Sequence, residues 1–219
     1  FLIVNTTQKS VDKAVEQRIM ARLTEALEFE DIPSLPRWIL RTVEKGEVDK
    51  AIKLVDYLNS ESESPWFGKI QMANEDREGA TIKQGSFVKI IIKFVLTANN
   101  PLLAFKDFEK EKKAFQNYWR AIADILDDGE PTTLYKYNGV DLFCRFSIPF
   151  FTRMMDKQNF TVGTMRSTLQ LCFDNMEGQY AGLGHPDFWA TRGTAGLLNA
   201  AALAEIVKDM ATALHKSGA

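Results

Sequence analysis

Asn5, Thr6, Thr7, Gln8 and Lys9 stand between an apolar run and the start of a helical pattern, a place where backbone and side chains together suit an anion. The first turn of a helix carries amides without an intrahelical partner and the positive end of the helix dipole, so a phosphate set against it meets donors and charge at once. Asn5, Gln8 and Lys9 add side-chain donors there, and Lys13, Arg18 and Arg22 on the following helix add positive charge. These six residues are the expected phosphate-binding set. The competing reading is a polar strand-to-helix turn that binds nothing, and both readings stay open. Arg192-Gly193-Thr194-Ala195-Gly196 has similar ingredients, but capping of a final helix by Thr194 accounts for it more simply.

Other chemistries find little support. The chain has two histidines, His185 and His215, and two cysteines, Cys144 and Cys172, at no spacing that builds a zinc or non-haem iron site, so no metal and no cofactor are expected. Each cysteine lies in an apolar stretch without a CxxC partner and reads as a buried thiol. There is no GxxxxGK[ST] loop, no GxGxxG turn and no GxSxG elbow. No nucleophile, base and orienting group fall into a recognisable arrangement, so no residue is assigned a catalytic role and the catalytic residues remain unknown. A formal net charge of −2 over 219 residues means that any contact with DNA has to gather its cations on one face.

The elements that must position such residues are mostly helices. Phe1-Leu2-Ile3-Val4-Asn5 reads as a β-strand whose sheet partners lie upstream. Val11, Val15, Ile19, Leu23 and Leu27 then recur every four residues behind an N-cap at Ser10. Further helices are expected from Pro36 to Gly46, over 47–59, from Thr81 or Ser86 to Asn99, over 105–126, over 138–156, over 164–176 and from Thr194 onward, with a short strand within Trp66–Met72. Pro149 should kink or split the helix that contains it. On helix 105–126, Lys106, Lys110, Lys112, Lys113 and Arg120 mix with Asp107, Glu109 and Glu111, which favours a solvated face laced with ion pairs. The fold class is therefore mainly α, a multi-helix domain with one or two short β-strands left from an upstream α/β domain. Residues 1–9 form the end of that upstream domain and residues 10–219 the helical domain.

Four segments resemble a known pattern. Phe1-x-x-Val4-Asn5-x-x-Gln8-Lys9 is similar to the segment that follows the Asp-Gly-Gln-His-Arg signature in DGQHR-domain proteins, relatives of DndB and of the ParB/sulfiredoxin-like fold. Trp66-x-Gly68-Lys69-Ile70, Ile82-x-Gln84-x-Ser86-Phe87-Val88 and Tyr118-Trp119-x-Ala121-Ile122 follow in the family's order. The signature motif itself is not in this chain, so a polar centre carried there belongs upstream of Phe1. The resemblance implies a bacterial or phage, cytoplasmic protein tied to DNA modification, restriction or its regulation, and a partner that is DNA or a nucleotide. A second reading, from a different class, is a protein-interaction or oligomerisation module without its own catalysis, a homo-oligomer or the binder of a protein partner, with Trp38, Trp66 or Trp189 as buried anchors. The longest apolar run, Ile90 to Leu96, is interrupted by Lys93 and is far shorter than the ~20 residues a membrane span needs.

Overall fold

The structure, a computed structural model, describes residues 47–72, 78–190 and 199–216. The strand expected at 1–5 and the helices expected from Ser10 to Leu27 and from Pro36 to Gly46 lie outside these described residues.

Helix α1 (Glu47–Ser60) forms where Ile52, Val55 and Leu58 recur at three-residue steps; all three are buried, with Ala51 and Leu54 beside them. Glu47 and Asp49 in its first turn suit the positive end of its dipole. A tight run of turns then brings in Trp66 and leads to strand β1 (Ile70–Gln71), which pairs in parallel with β2 (Ile82–Lys83), Ile70 opposite Ile82 and Gln71 opposite Lys83. Asn59, at the end of α1, fastens this connection: its carbonyl accepts from the Gly68 amide and its Oδ1 from the Ile70 amide.

Helix α2 (Gln84–Ile90) continues without a break into a π-helical segment, Ile91–Val95. A 3₁₀ turn, Pro101–Phe105, follows. Asn100, 1 % exposed, ties three of these pieces together: it caps the 3₁₀ turn through the Leu102 amide and donates both to the Phe94 carbonyl and to Ser147 Oγ. Helix α3 (Phe108–Leu126) is capped by Asp107, whose side chain accepts from the Glu109 and Lys110 amides. The helix thus starts three residues later than the apolar period suggested, because the preceding residues close a separate 3₁₀ turn.

Helix α4 (Tyr137–Lys157) runs unsplit through Pro149. The proline removes one amide donor and costs on the order of 3 kcal/mol in a helix interior. Phe146, Phe150, Phe151 and Met154, each fully buried on either side of it, contribute roughly 1.5–3 kcal/mol apiece and outweigh that cost. Helix α5 (Val162–Asp174) is capped by Thr161, a second 3₁₀ turn covers Gly178–Gly184, and Pro186 opens the one-turn helix α6 (Pro186–Trp189). Helix α7 (Ala200–Lys216) is preceded by Asn199, whose Oδ1 accepts from the Ala201 and Ala202 amides; Thr194, the expected cap, lies outside the described residues. Its inward face is Leu203, Ile206, Met210, Ala213 and Leu214, whereas Ala201 is exposed.

Helix α3 packs chiefly on α5, α4 on α7, and α5 and α7 on each other, while α1 closes over α2. One continuous apolar core runs through all of them. The fold is mainly α with a two-stranded parallel sheet. Cys144 and Cys172 are free buried thiols, and burial pushes both up, Cys172 to about 12, so neither is a ready nucleophile. No described helix is long and apolar enough to cross a membrane.

Candidate functional site

The six expected phosphate ligands, Asn5, Gln8, Lys9, Lys13, Arg18 and Arg22, lie outside the described residues, as do Trp38 and the Arg192–Gly196 loop. Within the described residues the chemistry-bearing side chains gather in two places.

The first surrounds Trp66. Its ring lies 4.8 Å from Phe87, 5.0 Å from Trp119 and 4.9 Å from Tyr135, centroid to centroid, and meets the last two edge to face. All four side chains are shut away from solvent. They come from the turn before β1, from α2, from α3 and from the turn before α4. Three of the four segments singled out in the sequence, those at 66–70, 82–88 and 118–122, therefore meet around one indole, and the Ile70–Ile82 pairing fixes their register. Nothing in a sequence read alone shows that Trp66 and Trp189 are internal. Both are fully buried, and Trp189 donates from Nε1 to the Leu183 carbonyl, so neither can anchor a partner as the interaction-module reading required.

At the rim of this cluster Lys69 Nζ stands 3.5 Å from the centre of the Tyr135 ring and 3.4 Å from Asp127 Oδ2, to which Tyr135 Oη also donates. Burial raises the Asp127 carboxyl; the Tyr135 hydroxyl, the Gly129 amide and the Lys69 ammonium more than offset this and hold it below its ordinary value. Burial, with Asp127 adding to it, pushes the Tyr135 phenol far above its usual value, so this group is a fixed donor and not a base. The trio is a latch joining the start of β1 to the end of α3 and the turn before α4. The sign of its pH dependence follows: a carboxylate whose pKa is depressed on folding adds stability above its unfolded pKa of roughly 3.9, and that contribution is lost as the pH falls through the folded value. Asp127→Asn should therefore be destabilised relative to wild type at neutral pH, and the gap between their urea midpoints should close as the pH is lowered below about 4. A gap that does not change with pH would show that the carboxylate's charge plays no part.

The second place is the solvent side of α2 and its π-helical continuation. Lys83, Lys89 and Lys93 are exposed there, and no carboxylate of the described residues lies within ion-pair distance of them. Helix α3 is different. As expected of it, Lys110 pairs with Asp107, Lys112 with Glu109, and Lys113 and Arg120 with Glu63. One member of that expected solvated face is corrected: Glu111 is 4 % exposed and held by Lys50 of α1, because α3 turns that position toward α1. Among the described residues no group of three His, Cys, Asp or Glu side chains could hold a metal ion. His185 precedes α6, and His215 sits in the last turn of α7, at the edge of an open hollow shared with Arg153 and Asp156.

None of the family models, curated proteins or solved structures compared with the chain matches it.

Proposed function

We propose that the chain is the helical portion of a DGQHR-type protein that binds DNA or a nucleotide in the course of DNA modification, restriction or its regulation. The observation that supports this reading is the meeting of three family-like segments around Trp66. Trp66, Phe87 and Trp119 are the aromatic members of those segments, they are 53 residues apart at the extremes of the chain segment they span, and each touches or neighbours the others in the core. Segments that resemble a family because they share its packing should converge in this way, whereas chance similarities scattered along a chain have no reason to share one cluster. Lys83, Lys89 and Lys93, which no carboxylate of the described residues pairs, supply the second requirement, cations gathered together in a chain whose net charge is −2.

The test is direct binding. A fluorescently labelled DNA duplex of about two helical turns should gain anisotropy when titrated with the intact chain at low salt, and an unlabelled duplex should compete it away. A chain that leaves the anisotropy of the duplex unchanged at low salt would remove the DNA-binding reading.

A further inference from the structure

We infer that the solvent face of α2 and its π-helical segment is a phosphate-contacting surface for duplex DNA, with Lys83, Lys89 and Lys93 as the contacting cations. The inference deepens the reading above and rests on it. From Gly79 to Lys106 the chain has four lysines and neither Asp nor Glu. Seven lysines of the other described segments pair with acids, as Lys50 does with Glu111, Lys53 with Asp49 and Lys112 with Glu109. A solvated helix face ordinarily mixes both signs, and this one does not.

The geometry matches the charge. Gln84, Phe87, Val88, Ile90, Ile91 and Val95 face the core, which leaves Lys89 and Lys93 on the opposite side with Gly85 and Ser86. Four residues of helix separate the two lysines by about 6 Å along the axis. Both ammonium groups thus stand on one side of the helix, close enough together to face one DNA strand. The small Gly85 and Ser86 leave room for the backbone to come close. Lys83, just ahead of α2, prolongs the row on the strand side.

The positive surface continues onto α4. Lys93 Nζ lies 4.9 Å and the Arg145 guanidinium 4.3 Å from the centre of the Phe94 ring, so two cations flank one aromatic side chain. Asp141 is bound to Arg145 through both of its carboxylate oxygens and so is already engaged. The uncompensated charge therefore rests on the lysines, and a polyanion is the partner that charge complementarity selects.

The experiment compares the intact wild-type chain with the K83Q/K89Q/K93Q variant, measuring duplex affinity by anisotropy across a salt series. Each phosphate contact adds about 0.9 to the magnitude of the slope of log K against log salt. The triple variant should therefore show a slope shallower by about 2.7, K89Q and K93Q alone a slope shallower by about 0.9 each, and K83R/K89R/K93R the wild-type slope. Unchanged far-UV circular dichroism shows that the variants are folded, and the single variants keep the test open if the triple one is not. A wild-type chain that binds duplex while all the glutamine variants keep its slope overturns this surface and leaves the DNA-binding reading standing. A wild-type chain that does not bind duplex at any salt overturns both.

Discussion

Trp66→Ala should lower the unfolding free energy by about 3–5 kcal/mol, the range for removing a large aromatic side chain from a core. The expectation is at the upper end because Trp66 is fully buried and touches Phe87, Trp119 and Tyr135 at once. Its loss leaves a cavity walled by rings whose backbones belong to α2, α3 and the turn before α4, and these cannot collapse together without dragging their helices. Trp66→Phe should recover a good part of the loss. The indole Nε1 finds no hydrogen-bond partner among the described residues, so replacing it removes no bond that the folded protein makes. Urea denaturation read by circular dichroism measures both variants. A W66A midpoint within error of the wild type would mean that the cluster does not hold these segments together.

The second large effect is expected from a single methyl group. Gly139 lies in the first turn of α4, and a Cβ placed on it would stand 2.1 Å from the Leu134 carbonyl oxygen and 2.8 Å from its carbon. Both atoms are backbone, so no side chain can swing away. Gly139→Ala must push the Thr132–Lys136 turn off the start of α4. That turn carries Tyr135 into the Trp66 cluster, and Thr133 donates from its amide and its hydroxyl to the Trp189 carbonyl. Overpacking of this kind costs roughly 1–3 kcal/mol and more when backbone is the obstacle, so a loss of about 3 kcal/mol is expected. Gly163, whose Cβ would meet nothing within 4 Å, is the control: Gly163→Ala in α5 should leave stability unchanged or raise it by up to about 1 kcal/mol.

The helices that could be read from the sequence were those whose apolar residues alone decide their position. Val48, Ile52, Val55 and Leu58 place α1 within a residue of its observed end, and Phe115, Trp119 and Ile122 place α3. Element starts were less legible, because they depend on which polar side chain reaches the free amides. Asp107 and Asn199 do so for α3 and α7. Pro149 misled because the local cost of proline is visible in a sequence, while the burial of four large side chains around it is a tertiary quantity. Tryptophan is the clearest case. Its type suits both a core and an interface, and only the packing of Trp66 and Trp189 decides between them.

The candidate site was less legible still. The anion site expected at Asn5 to Lys9 lies outside the described residues, and of Lys83, Lys89 and Lys93 only Lys93 enters the sequence reading, as an interruption of an apolar run. The absence of Asp and Glu from Gly79 to Lys106 is legible in the sequence, but that Lys89 and Lys93 share the solvent side emerges only when the buried side of α2 is known. The Lys69–Asp127–Tyr135 latch joins residues up to 66 positions apart and has no local signature.

The proposed contact with DNA is made through Lys83, Lys89 and Lys93, which no carboxylate of the described residues pairs. The most direct measurement of it is the salt dependence of duplex affinity for the intact wild-type chain. Three phosphate contacts predict a slope of log K against log salt of about −2.7 or steeper, a loss of about forty-fold in affinity between 50 and 200 mM. Affinity that is flat across that range would contradict it.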